Sequence, residues 1–206
     1  MRRTRTKRIV LDGVLTAMAL VIWVVEMHIP LPLPVPGVKL GLSNVVTLFA
    51  LFALGPLDAL IILLVRIGIG AAFGGSLTSF LFSLTGGLLC YLVTLLLKLV
   101  VKPKQIWVLG VVGAIFHNLG QIVVAMGLTK TTGLLVYLPV LVAAGIGTGL
   151  FTGLVAQSCY LALRKHPILE GLKGGVERSQ EPADLPTIDD TESRTEQKNL
   201  KNGGED

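Results

Sequence analysis

Charge is what this chain has least of. Charged residues make up 15% of the 206 residues, against about a quarter in an ordinary soluble domain. What charge exists is pushed to the ends. RRTRTKR fills positions 2–8, and residues 171–206 mix acids and bases. The long stretch between is nearly charge-free, which excludes a large water-soluble core and implies a polytopic membrane protein. Cysteine is scarce too. Cys90 and Cys159 both lie in apolar segments without CxxC spacing, so neither a disulfide framework nor a metal site is expected.

Several chemical signatures are also missing. The sequence has no GxxxxGK[ST] loop, and so no built-in ATPase; it has no HExxH zinc motif and no nucleophile elbow. The expectation is that no pair of carboxylates lies within the apolar segments to run acid–base chemistry. An enzyme acting alone is therefore unsupported, and no cofactor and no metal are expected. The chain is basic, with a net charge of +5 and a pI near 9.4. Its cations sit at the edges of apolar segments, which suits anionic lipid headgroups and not nucleic acid.

What is present is hydrophobic length. Mean hydropathy is +0.74. The apolar segments predict six spans at 10–29, 42–54, 57–72, 77–99, 106–127 and 133–163, an all-α six-helix transmembrane bundle. The first is expected to be retained rather than cleaved, because it is long enough to span and no small-residue cleavage site precedes Pro30. A proline-rich loop, PLPLPVPG, follows it, where repeated prolines forbid helix. Spans 2 and 3 are short against the roughly 20 residues of a full crossing. The domain division is a basic cytoplasmic N-terminus at 1–9, a membrane domain at 10–165 and a disordered cytoplasmic tail at 166–206, whose polar composition cannot bury a core. The Asp189-Asp190 pair in that tail is expected to be solvated charge. Arg2, Arg3, Arg5, Lys7, Arg8, Lys98, Lys102, Lys104, Arg164 and Lys165 fall on one side of a six-span topology, and only Lys39 and Lys130 on the other. That asymmetry predicts N-in and C-in. Fusing spans 2 and 3 into one crossing is the alternative, and it would put Arg164 and Lys165 outside.

Polar residues inside a span are costly unless paired or facing water, which makes each a functional candidate. Arg66 lies in the outer half of span 3. HNLGQ at 117–121 sets His117, Asn118 and Gln121 at helical spacing on one broad face of span 5. Asn44 opens span 2 and Lys39 precedes it. Glu26, His28, Ser76, Thr78 and Ser79 fall at the same outer level. Two readings compete. These residues form a ligand site, or they are snorkelling and interhelical hydrogen-bond glue. The opposite half is apolar and rich in small residues. Gly145, Gly149 and Gly153 form GxxxGxxxG, and Gly13 with Ala17 forms a small-xxx-small pair. Such stripes serve packing within the bundle or docking against another membrane subunit.

PGVKLGLSNVVTLFALFALGPLDAL at 36–60, RIGIGAAFGG at 66–75 and HNLGQ at 117–121 carry a resemblance. The chain resembles the bacterial Gx transporter family, also known as heptaprenyl diphosphate synthase component I, over residues 9–165. The most specific part is the GxKLGLxN block at 37–44. That family is similar in turn to the substrate-binding S components of energy-coupling factor (ECF) transporters. The second likeness implies six helices, an outward pocket capped by the first loop, and small residues on helix 1 that dock on a coupling subunit served by ATPases. Here the pair is Gly13/Ala17 where that docking motif has two alanines. The synthase name implies a different partner, a prenyl synthase catalytic subunit. A catalytic subunit itself would need DDxxD motifs, and Asp189-Asp190 is followed by Thr-Glu-Ser. Two functions follow. One is a binding and uptake subunit in the bacterial cytoplasmic membrane, with Lys39, Asn44, Arg66, His117, Asn118 and Gln121 holding a small molecule. The other is an accessory membrane subunit of isoprenoid synthesis.

Overall fold

The computed structural model describes residues 2–29, 39–74, 76–167 and 169. Among these the protein is a bundle of α-helices with two short 3-10 turns and no strand: α1 (Arg2–Met27), α2 (Asn44–Ala53), α3 (Pro56–Gly74), α4 (Leu77–Lys98), α5 (Ile106–Thr129) and α6 (Leu138–Leu163). Five of these segments are long and apolar enough to cross a membrane, and α2 is not. The protein is a multi-pass membrane protein. Positions 30–38 of the loop 30–41 expected to cap the pocket, positions 170–206 of the expected tail and its Asp189-Asp190 pair lie outside the described residues.

Local chemistry explains the boundaries. α1 begins well before the apolar run, because arginine and lysine are good helix formers and carry it on through the basic segment. The residue before a proline is biased away from helix, and α1 stops at Met27, ahead of Pro30. Gly55 at φ +124° turns the chain between α2 and α3, and Pro56 opens α3 where its missing N–H costs nothing. The Ser76 hydroxyl caps α4 by accepting from the Ser79 N–H at 3.3 Å. Lys130 at φ 51° ends α5 in the left-handed region.

The short second span has a specific explanation. Ten residues at 1.5 Å each make about 15 Å, half of the ~30 Å hydrocarbon thickness. α2 survives because it sits in the middle of the bundle, in contact with every other helix. Val46, Leu48, Ala50, Leu51, Phe52 and Ala53 are all buried. The carbonyls at its C-terminal end are met by cations of its neighbours. Lys98 Nζ donates to the Leu51 carbonyl at 2.6 Å, and Arg8 Nη2 to the Leu54 carbonyl at 3.1 Å. Both also complement the negative pole of the helix. Arg8 reaches Asp58 with Nε (2.8 Å) and Nη2 (2.5 Å) as well.

α5 and α6 touch backbone to backbone. A Cβ at Gly149 would lie 2.6 Å from the Gly110 carbonyl oxygen, and one at Gly153 2.7 Å from the Trp107 carbonyl oxygen. The Gly145–Gly149–Gly153 stripe thus faces the chain's own α5. Gly13 and Ala17 are exposed on α1, and a Cβ at Gly13 would meet nothing within 4 Å.

One expectation is corrected. Carboxylates do lie inside the apolar segments. Glu26 and Asp58 are both buried, and Asp12 interacts electrostatically with Asp58 across Arg8. The costs of Glu26 and Asp58 are met by local partners, whereas Asp12 Oδ1 is buried without one. Arg8 pairs with Asp58, and backbone N–H groups pair with Glu26.

Candidate functional site

A group of buried polar side chains gathers at the end of the bundle where α1 stops and α2 starts. Arg66 is 3% exposed, deep among apolar neighbours. Nη1 donates to Ser43 Oγ at 2.6 Å and Nη2 approaches Asn44 Oδ1 at 3.4 Å. Its Nε is buried with no partner. The guanidinium faces the N-terminus of α2, which is itself positive. Ser43 and Asn44 place oxygens between the two.

The next link is histidine. Asn44 Nδ2 lies 3.2 Å from His117 Nδ1, and Gln121 Nε2 lies 2.5 Å from His117 Nε2. Gln121 also grips the main chain of Lys39. Its Oε1 accepts from the Lys39 N–H at 2.9 Å, and its Nε2 donates to the Lys39 carbonyl at 3.0 Å. That two-point bond fixes which end of the amide is nitrogen. Gln121 therefore donates to His117 Nε2, which must carry the lone pair. The ring proton then belongs on Nδ1, where the Gly86 backbone bonds it, and Asn44 Nδ2, itself a donor, lies against Nδ1 without bonding it. Gly86 must be glycine here, since a Cβ would lie 2.8 Å from Nδ1.

Lys39 closes the cluster. Its Nζ donates to Ser79 Oγ at 2.7 Å and sits 4.6 Å from the centre of the Trp23 ring. Burial pushes its ammonium down to about 8, Glu26 pulls it back up, and Arg66 adds to the lowering. Glu26 Oε1 accepts from the N–H groups of Gly41 and of Leu42, the latter at 3.2 Å. Within this cluster two cations, Lys39 and Arg66, face one carboxylate, and the α2 N-terminus adds to the positive side.

Five of the six candidate residues, Lys39, Asn44, Arg66, His117 and Gln121, thus gather in one contiguous cluster. Asn118 points elsewhere. Its Nδ2 donates to the Leu141 carbonyl of α6 at 2.7 Å, and its Oδ1 is buried without a partner. Glu26, Ser43, Ser79 and Trp23 also belong to the network. Glu26 and Ser79 stand at the same outer level in the sequence without being among the six ligand-holding residues, Ser43 is seen only beside Asn44, and Trp23 gives no signal. Beneath the network, a cavity of about 20 Å³ is lined by Asn44, Thr47, Cys90, Thr94 and Thr152 among others, room for roughly one water. A second, larger hollow of about 390 Å³ is apolar and lies between α1, α2 and α6, ending at His166 and Leu169. No group of three or more metal-ligating side chains occurs among the described residues.

A family model described as heptaprenyl diphosphate synthase component I matches residues 15–159. No curated protein and no solved structure matches the chain.

Proposed function

The chain belongs to the heptaprenyl diphosphate synthase component I family, and from that premise we propose that it is a membrane-embedded binding subunit for a small anionic molecule. The observation that carries this reading is the charge imbalance of the Arg66 network. Two cations and a helix N-terminus share one carboxylate, and a buried Arg66 Nε stays unpartnered. A buried donor without an acceptor costs about 1–3 kcal/mol, and an anion would relieve it. In this reading the bundle sits N-in and C-in in the bacterial cytoplasmic membrane. The network then faces outward, and Arg8, Lys98 and Arg164 face the cytoplasm. Lys39 and Arg66 attract the anion, while Asn44, His117 and Gln121 orient it; Asn118, turned to α6, drops out of the six. The exposed Gly13/Ala17 face of α1 is where an ECF-type coupling subunit and its ATPases would attach.

The test is purification from native membranes with mass spectrometry of whatever small molecules and subunits come with it. A small anion should co-purify with the natural protein and be absent from Arg66→Ala, with both proteins equally monodisperse. Equal recovery from both would remove Arg66 from the site.

The apolar hollow between α1, α2 and α6 favours a second reading, an accessory membrane subunit that holds an isoprenoid chain for a catalytic partner. The family description itself implies a catalytic prenyl synthase subunit. Recovery of such a soluble enzyme in the same purification, without a coupling subunit or ATPase, would decide for this reading.

A further inference from the structure

The Gln121–Lys39 pairing says something about the shape of the ligand. Gln121 is 1% exposed, and its carboxamide is engaged on both sides by the N–H and C=O of a single residue. Those two groups lie side by side and point the same way. They offer a donor next to an acceptor, as does one edge of a lactam, an imide, a cyclic urea or a pyrimidine ring. Gln121 has a second support besides the loop: His117 Nε2 accepts from Gln121 Nε2, and Gly86 holds the imidazole in turn. Gln121 is therefore a pre-set reader of a donor–acceptor edge.

The rest of Lys39 covers two further surfaces. Its ammonium sits over the Trp23 ring, which also packs against Gly70 and Gly74. Lifting Lys39 would bare at once the amide of Gln121, one aromatic face and the region of Arg66. We propose that the main chain of Lys39 stands in for the ligand, and that the ligand is a small planar anion with an N–H/C=O edge, which displaces Lys39, pairs with Gln121, stacks on Trp23 and meets Arg66 with its charge. The proposal rests on the anion-binding reading above and narrows it to a chemical class. Ligands with charge but no such edge should bind poorly, because a site built to hydrogen-bond rejects an analogue that leaves its buried groups unpaired.

The experiment uses the full chain in detergent carrying Trp107→Phe, so that Trp23 is its one remaining tryptophan. Three probes are titrated while Trp23 emission is followed. Orotate is planar, has imide edges and carries one carboxylate. 1,3-Dimethylorotate keeps the ring and charge but has no N–H. Benzoate keeps only a flat ring and a carboxylate. Orotate should act at a concentration at least about tenfold lower than either of the others. In Gln121→Met, neutral and of similar length, that preference of orotate over dimethylorotate should collapse toward one. Equal responses to orotate and dimethylorotate in the unmutated site overturn the edge assignment and leave anion binding standing. A lack of response to all three overturns both. Should Gln121→Met fail to fold, the orotate–dimethylorotate comparison decides without it.

Discussion

At the scale of single residues, Lys39 is where electrostatics should be measurable. Its ammonium is lowered to about 8 from an ordinary value of 10.5, chiefly by burial. Below about pH 8 it is charged in the folded and unfolded chains alike. Between that pH and 10.5 the unfolded chain binds more protons, so stability rises with pH across this window. The thermal midpoint of the natural protein should therefore climb from pH 7.5 to 10 relative to Lys39→Met. Parallel pH profiles would show that burial does not perturb this lysine. Gly86→Ala should displace the His117 ring and cost about 1–3 kcal/mol, the range for overpacking a tight contact, read from unfolding in detergent. Residue identity was only partly legible in the sequence. Arg66 and the HNLGQ face announce themselves because polar groups are costly in a span. Glu26 looks like an ordinary acid at a membrane edge, and only the returning loop, with the N–H groups of Gly41 and Leu42, makes it part of the network. Asn118 shares the broad face of His117 and Gln121, but the angular offset from each turns its amide to α6.

At the scale of elements, helix existence and most boundaries follow from hydrophobic length and from proline and glycine punctuation. What the apolar runs could not reveal is position within the bundle, since leucine on a lipid face and leucine in the core look alike. α2 shows this best. Its length made it a poor span, and its central place explains how so short a helix is tolerated. Because Arg8 serves both the Leu54 carbonyl and Asp58, Arg8→Ala should destabilise by about 1.5–3 kcal/mol, the range for hydrogen bonds to charged groups. An Arg8→Ala/Asp58→Asn double variant should recover part of that loss, and a denaturation series would register the coupling. The glycine stripe makes a sharper case. Gly149→Val would drive side-chain atoms into the α5 backbone, and the expected outcome is loss of folded, monodisperse protein, whereas Gly13→Val should leave yield and unfolding midpoint unchanged.

At the scale of the whole molecule, polarity is divided between two ends. One carries Arg8, Asp58, Lys98 and Arg164, and the other carries the Arg66 network. If the N-in, C-in arrangement holds, single cysteines introduced as Lys130→Cys and Lys104→Cys, in a chain with Cys90→Ala and Cys159→Ala, should label from opposite sides of intact cells. A membrane-impermeant thiol reagent should reach the first and spare the second, and the reverse pattern would invert the topology. The short central helix also has a consequence for biogenesis. About 15 Å of α2 cannot occupy a bilayer alone, and most of its buried surface is supplied by helices synthesised after it. As the chain leaves the ribosome, α2 must wait, paired at most with α1 and α3, until α4 to α6 arrive to enclose it. The Ser43–Arg66 bond needs only α3, whereas the Lys39–Gln121 pairing waits for α5, so the Arg66 network is completed late in synthesis.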